Sequence, residues 1–416
     1  MAIPCDKDMK LKSISFENYK AFYEKQTMQL KPITILIGKN SSGKSSIAKL
    51  FTLFENSLSG EIDEPLLLNN YGVELGEDFK NLFFGNSSAG RSLNFNLTFE
   101  NDVQIEIMLF AQADGKASKD SYGLKILEWK YKEDKYQFGL RLDEEGESYF
   151  DEGNNQRSID FKGFIPKDFP NLEESKKIFD KLKIDVDYIG PFRTLPERYF
   201  YLTGQTQFKD TGISGKNAYS MLGMSKYQEG DKLHQNVGSW YENHFDGWKL
   251  EVDNISKQPL IQILLAKDDI SINLVDVGQG MNQALPLVVR ANVNRPDSIV
   301  VLEQPELHLH PAAHADLAEL FARSAKENDQ TFIIETHSEN ILLRLRKLIV
   351  ENDFGFTKDD LVIYWIEDAE LKGKELREII VDENGVLEDW PEGIFSESLK
   401  EILEMQNAIK RKQKQD

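Results

Sequence analysis

One cysteine, Cys5, stands in 416 residues, so no internal disulfide can form and a reducing compartment is the natural home. Basic residues are outnumbered: 50 Lys and Arg face 70 Asp and Glu, for a formal charge of −20. That balance argues against a protein that coats nucleic acid by neutralising phosphates. Long apolar runs are absent too. Nothing approaches the roughly 18 consecutive apolar residues of a membrane span, and Met1 to Asp6 carry no signal-peptide core, so a cytoplasmic protein without membrane contact is expected. No internal repeat and no sustained heptad occurs, which argues against a coiled-coil arm.

What is present is ordinary for a globular protein, with 40% hydrophobic and 29% charged residues in a chain longer than one core usually serves. A large domain with an insert, or two lobes, is expected. The chain is organised around Gly38-Lys39-Asn40-Ser41-Ser42-Gly43-Lys44-Ser45, a G-x-x-x-x-G-K-S loop. Ile33 to Ile37 reads as a strand running into it, and Ile47, Leu50, Phe51 and Phe54 recur behind it at helical spacing. Strand, glycine loop and helix in that order converge backbone N–H groups and a positive helix end on phosphate oxygens. Gly38, Lys39, Asn40, Ser41, Ser42, Gly43, Lys44, Ser45 and Ser46 are therefore nucleotide-binding candidates, with Lys44 reaching the phosphates and the Ser45 hydroxyl on Mg2+.

Period-two alternation at Leu93 to Phe99 and Val103 to Ile107 predicts an antiparallel hairpin with one wet face. Residues 111–160, with turns at Asp114-Gly115 and Glu145-Gly146, read as further antiparallel strands of a side lobe. Then come a helix over Asn171 to Leu182 and an ordered loop from Tyr188 to Tyr199. In that loop Arg193 and Arg198 are phosphate or carboxylate partners, or solvated turn residues. Thr203 to Asp231 reads as mobile and Lys232 to His244 as a helix. From Leu260 the nucleotide core resumes, which gives domain halves 1–110 and 260–416 around an inserted lobe, 111–259. Ile409 to Lys414 reads as a basic, solvated tail.

Three more features follow the loop. Gly278-Gln279-Gly280 sits at a strand-to-helix junction, the apolar run Ile299 to Leu302 ends in Glu303, and Thr331 to Ile334 ends in Glu335-Thr336-His337. A carboxylate at Glu303 can hold the water shell of Mg2+ beside Ser45; the bland alternative is an acid that caps a helix or faces water. His337 can bond a γ-phosphate oxygen and report its loss, or be a structural histidine. Gly278, Gln279 and Gly280 leave bare backbone at a helix start, a second anion site. Because the chain's own ATP is cradled by the P-loop, that second site meets the γ-phosphate of another copy. A head-to-tail homodimer or higher homo-oligomer is the prediction.

Together these residues resemble an ABC-type ATPase head, as in SMC-like (structural-maintenance-of-chromosomes) and recombination ATPases. In particular they resemble the prokaryotic predicted-ATPase family that shares its head with overcoming-lysogenization-defect (OLD) proteins. Gly38 to Ser45 is similar to Walker A, Asp276 to Gly280 to the signature, and Val300 to Pro311 to Walker B and the D-loop. Ile334 to Glu339 with Leu343 to Arg346 is similar to the switch histidine and its helix; Tyr188 to Tyr199 and Asp389 to Gly393 also match. The resemblance implies an α/β fold: an ABC-ATPase head made of a P-loop NTPase core with an antiparallel β subdomain, plus an inserted β/α lobe and no coiled coil. It also implies ATP and Mg2+ as cofactors. The stretch after His337 is short for the nuclease domain of OLD proteins, and Gln304 holds the place of the usual catalytic glutamate. Glutamine orients a water but cannot take its proton, so slow hydrolysis is expected, with Glu306 or Glu335 as substitute bases.

The implied role is that of the sensor or regulatory subunits of anti-phage systems of the PARIS, Septu and retron kinds. Such an ATPase scaffolds a separate protein effector, a nuclease or toxin, and answers a phage-derived trigger. A DNA-repair or DNA-end-processing ATPase is the alternative, with DNA contact disfavoured by the acidic balance. A transporter-type ATPase fits least.

Overall fold

The structure, a computed structural model, describes residues 9–88, 90–113, 122–134, 136–167, 179–202, 208–255, 260–388, 390 and 404–405. Outside them lie Cys5, the Asp114-Gly115 turn, most of the helix expected over Asn171 to Leu182, part of Thr203 to Asp231, most of Asp389 to Gly393, and the basic tail at Ile409 to Lys414.

The chain opens with β1 (Leu11–Glu17), β2 (Gln26–Gln29), β3 (Ile33–Gly38) and α1 (Lys44–Leu58). It continues through β4 (Ser92–Phe99), β5 (Gln104–Ala113), β6 (Tyr122–Glu133), β7 (Tyr136–Leu142) and β8 (Val186–Ile189). Next come α2 (Asn217–Tyr227), α3 (Leu233–His244), β9 (Lys249–Asn254), β10 (Leu260–Lys267) and α4 (Gln279–Ala291). The last part holds β11 (Ile299–Glu303), α5 (Pro311–Glu327), β12 (Thr331–Glu335), α6 (Glu339–Glu351), β13 (Leu361–Asp368) and β14 (Lys374–Ile379).

β3, β11 and β12 are continuous apolar runs, the pattern of strands covered on both faces. They lie parallel in the middle of a six-stranded sheet ordered β8-β11-β12-β3-β13-β14, whose β14 is an antiparallel edge. Successive side chains take opposite faces. Ile33, Ile35, Ile37, Val300, Leu302, Phe332 and Ile334 meet α2 to α6 on one side, while Leu36, Val301 and Ile333 join α1 on the other. Beyond α1 lies an eight-stranded antiparallel sheet, in the order Gln156–Arg157, Tyr149–Asp151, β7, β6, β5, β4, β1, β2. β4 buries Leu93, Phe95, Leu97 and Phe99 and turns the alternate polar residues outward. Phe95 meets Phe54 of α1 edge to face at 5.2 Å. α1 is thus covered on two sides, which is why Leu53 and Leu58 are buried along with its Ile47, Leu50, Phe51 and Phe54 stripe. Each such side chain contributes about 1.5–3 kcal/mol.

The 111–259 stretch, expected as a side lobe, is divided between these layers. β6 pairs with β5 across the expected boundary, Ile107 opposite Trp129, and β8 joins the core sheet beside β11. β5 and β6 lie at the centre of a sheet with one wet face and so alternate polar with apolar residues, which is why composition alone hid their continuity. Among the described residues α2, α3, the short hairpin of Phe161–Lys162 and Ile165–Pro166, and a four-stranded sheet of Phe200–Tyr201, β10, β9 and Ile270–Asn273 lie apart from the two main sheets. The stretch expected to be mobile contains α2, whose Ala218, Tyr219 and Leu222 are buried. Phe200 stacks on Tyr219 at 4.8 Å. Among the described residues the longest helix is α5, with 17 residues, and no helix is long and apolar enough to cross a membrane.

Candidate functional site

β3 delivers the P-loop. After Gly38 the chain passes through Ser41 (φ 61°) and Gly43 (φ 107°), both left-handed, into α1. A side chain at Gly43 would lie 3.0 Å from the Phe22 ring, so the loop rests on Phe22 only because that residue is glycine. α1 starts without a side-chain cap, which leaves its first N–H groups for an anion. Tyr19, fully buried, donates its hydroxyl to Ser46 O at 3.0 Å and pins the first turn. Lys44 is folded back, with Nζ donating to Gly38 O and Lys39 O at 2.9 Å each. Burial lowers its pKa, while Glu335 and Glu306 pull the other way. Ser42 Oγ is buried with no hydrogen-bond partner among the described residues. Among these residues the Ser42 hydroxyl and the uncapped helix start lack partners, and the buried Lys44 ammonium has only neutral carbonyls as direct acceptors. A phosphate supplies acceptors and negative charge.

β11 and β12 end in register, Glu303 opposite Glu335. The sequence expectation put Glu303 beside Ser45. In the structure Ser45 Oγ donates to Glu335 Oε2 at 2.7 Å, and Glu303 accepts from the Tyr188 hydroxyl of β8. The cause is strand order: β12 lies next to β3, whereas β11 is one strand further out. Both carboxyls are buried, at 7% exposure for Glu303 and 4% for Glu335. Burial is the largest cause that raises their pKa values, and Glu335 is pushed from 4.5 up to about 7 against the Ser45 hydrogen bond. Two buried acids a strand apart that resist ionisation mark a place short of positive charge. Ser45, Glu303 and Glu335 fit a hard cation such as Mg2+, which takes one or two carboxylates and keeps several waters. Among the described residues no three His, Cys, Asp or Glu side chains converge as a fuller metal cage.

The turn after β11 is unusual. Gln304 (φ 45°) and His308 (φ 68°) are both left-handed, and Gln304 N donates to Glu335 O at 2.8 Å, stitching the turn to the end of β12. Glu306 Oε1 accepts from His337 N at 2.7 Å, so this acid holds the segment after β12 in place. His337 is exposed, yet desolvation followed by the Lys44 charge lowers its pKa, which favours the neutral imidazole at pH 7. Ser338 caps α6 and meets His314 Nδ1 at 2.9 Å.

Gly278, Gln279 and Gly280 form the start of α4. Gly278 is its N-cap residue, with no side-chain cap bond and no atom within 4 Å of where a Cβ would sit. A Cβ on Gly280 would lie 3.4 Å from His308 O, so this helix start packs beside the turn that follows β11. Arg198 makes a two-pronged pair with Asp276 at 2.9 and 2.6 Å, both about half exposed. Arg193 is buried and holds backbone carbonyls of the 304–307 turn. Arg198 thus meets a carboxylate, and the Arg193 Nη groups are taken by backbone carbonyls. The roles of Tyr188, Arg193 and Gln283 were not read from the sequence; the one available signal was a polar-tipped aromatic, Tyr188, beside Asp187 in the short strand Val186–Ile189.

Residues 33–344 match the model of the AAA_21 family, described as "AAA domain, putative AbiEii toxin, Type IV TA system". The chain belongs to that family. The AAA_21 match takes in the P-loop, the α4 start, the turn after β11 and His337. Similar solved structures include an SMC head bound to the C-terminal winged-helix domain of ScpA, at 10% identity and TM-score 0.45, with 89% of this chain and 97% of that one covered. The SMC head from Thermotoga maritima is 12% identical at TM-score 0.42, covering 89% and 98%. The Pyrococcus furiosus SMC head with an extended coiled coil, bound to the C-terminal domain of ScpA, is 11% identical at TM-score 0.44, covering 96% and 100%. No curated protein sequence matches the chain.

Proposed function

We propose that this AAA_21 protein binds ATP with Mg2+ at Gly38 to Ser46, hydrolyses it slowly, and closes head-to-tail on a second copy whose Gly278 to Gly280 segment completes the pocket. The observation that carries this reading is the Ser45–Glu335 contact, which sets a buried carboxyl of raised pKa against the hydroxyl of a P-loop. Lys44 leaves the two loop carbonyls for phosphate oxygens, and Ser42 gains the partner it lacks. Mg2+, held by Ser45 with Glu303 and Glu335, supplies neutralisation of phosphate charge when bound. Gln304 orients the attacking water without taking its proton, and Glu335 takes that proton only where Ser45 and Glu303 alone carry the Mg2+, because a carboxylate on the metal is held ionised. His337, neutral, reads the γ-phosphate. Glu306 positions His337 through its backbone.

The nucleotide state then governs a separate effector. The family description names an AbiEii toxin of a Type IV TA system; on our reading the chain is instead a regulatory ATPase of an anti-phage system, restraining a separate nuclease or toxin until a phage-derived trigger arrives. Size measurement with ATP and Mg2+ tests the first half: wild type doubles in mass and Lys44→Ala stays at its starting size. Purification from the native operon tests the second, with a stoichiometric nuclease or toxin as the expected companion. ATP-dependent, salt-sensitive DNA binding with no companion would replace this reading by a DNA-repair ATPase.

A further inference from the structure

We infer that Arg193 is a positioning residue that couples the α4 start to the turn bearing Gln304 and Glu306, an inference that rests on the nucleotide reading above. The side chain is 6% exposed. Its Nη1 donates to Pro305 O at 3.2 Å, and its Nη2 to Gln304 O and Leu307 O at 3.3 Å each. Three carbonyl oxygens of one turn therefore converge on a single guanidinium. The turn needs such a brace, because Gln304 and His308 hold left-handed conformations that a non-glycine residue keeps only when its surroundings enforce them. A planar fork reaches all three acceptors; a lysine ammonium, a point donor, does not. Burial lowers the Arg193 pKa to about 10 while Glu306 opposes it, so the group is charged at neutral pH.

The other end of the same segment grips α4. Gln283 Nε2 of α4 donates to Arg193 O at 3.3 Å, and the Asp187 carboxylate of β8 pairs with Arg290 near the other end of α4 at 2.7 Å, with both side chains 1% exposed. Residues 187–193 thus form one short link, held to α4 at two points and to the turn after β11 at three. An anion arriving at Gly278 to Gly280 displaces the α4 start against this link. The displacement reaches Gln304, which serves the chain's own P-loop. Each chain thereby reports occupancy of its partner-facing anion site to its own pocket, and the two pockets of a dimer become cooperative.

The test compares wild type with Arg193→Met and Arg193→Lys in three readouts: affinity for a fluorescent ATP analogue, steady-state turnover per folded chain, and the Hill coefficient for ATP. The hydrogen bonds of the Arg193 side chain go to the 304–307 turn and not to the P-loop, so affinity stays within about twofold. Turnover of Arg193→Met falls roughly tenfold to a hundredfold, as for a misplaced reacting group. The Hill coefficient drops from its wild-type value toward about 1. Arg193→Lys recovers part of the turnover and less of the cooperativity. If Arg193→Met does not fold, Gln283→Leu, which removes only the contact to Arg193 O, carries the test through its Hill coefficient. Wild-type turnover and cooperativity in a folded Arg193→Met, or a loss of turnover that only tracks its melting, overturns the assignment. Absence of ATP binding in wild type overturns the nucleotide reading itself and Arg193's role with it.

Discussion

Ser45 and Glu335 are joined across the seam between α1 and β12 by a 2.7 Å hydrogen bond, with the hydroxyl donating to a carboxyl whose pKa burial has pushed up to about 7. Between its ordinary 4.5 and about 7, the folded chain holds a proton that the unfolded chain has released. Stability of the ligand-free protein therefore falls as pH rises through that window, by at most ~3 kcal/mol for this group. Glu55 of α1, raised to about 7 mainly by burial, adds to the same slope. Glu335→Gln keeps an acceptor for Ser45 and removes the titration. Urea denaturation at pH 5 and pH 8 should show the variant equal to wild type at the lower pH and ~2–3 kcal/mol more stable at the higher one. Equal differences at both values would mean that Glu335 ionises normally in the fold.

Stability and function should separate at Gly278. Its φ of −61° suits any residue, there is open space where a side chain would go, and it occupies the N-cap position of α4. Aspartate there accepts from the free N–H groups and favours the positive helix end, so Gly278→Asp should melt at or above the wild-type temperature, with a gain of up to ~1 kcal/mol. The same carboxylate repels a γ-phosphate. ATP-driven doubling in mass should disappear while ATP-analogue affinity of the single chain is kept. A Gly278→Asp protein that still doubles with ATP would show that α4 does not meet the nucleotide of another copy.

The P-loop, α1 and the alternation of β4 were legible because each is a local pattern whose period matches its burial. The two apolar runs ending at Glu303 and Glu335 were legible as buried strands for the same reason. Which of those acids meets Ser45 was not, since strand order in a parallel sheet is a long-range property that neither run encodes by itself. Arg193 and Arg198 lie five positions apart with similar neighbours, yet one is buried on carbonyls and the other pairs with Asp276 in solvent. That difference is made by the 304–307 turn, more than a hundred residues downstream. The continuity of β5 with β6 was obscured by polar residues on the wet face of their sheet.

Gly163 is a position where one methyl group should be expensive. It has φ 59°, and a Cβ there would lie 2.1 Å from Ser57 O near the end of α1, the same carbonyl that accepts Phe164 N at 2.7 Å. Backbone faces backbone, so no side chain can yield. Gly163→Ala should cost ~2–4 kcal/mol, combining left-handed strain with overpacking. Gly123, with nothing within 4 Å of its Cβ position, is the control: Gly123→Ala in β6 should change stability by no more than ~0.5–1 kcal/mol. The comparison is read from urea midpoints at constant slope. A Gly163→Ala midpoint close to that of Gly123→Ala would place the chain around Ser57 differently.

The Asp187–Arg290 pair offers a sharper test of how α4 is mounted. Both groups are 1% exposed, Thr211 donates to Asp187 from its amide at 3.2 Å and its hydroxyl at 3.0 Å, and Arg290 also donates to Ser298 Oγ at 2.9 Å. Burying two charges costs nearly as much as their attraction returns, whereas removing one partner leaves the other charged and unpaired. Asp187→Asn should therefore cost ~3–5 kcal/mol. Replacing both, as Asp187→Leu with Arg290→Met, removes the uncompensated charge and should cost less than Asp187→Asn, although Thr211 then loses its acceptor and Ser298 Oγ one of its two partners. The double-mutant cycle, completed with each single change and measured by urea denaturation, isolates the coupling. Because the pair anchors the helix that presents Gly278 to Gly280, ATP-driven association should weaken in the double variant even where stability recovers. A double variant with both stability and association intact would show that α4 is held by its apolar face alone.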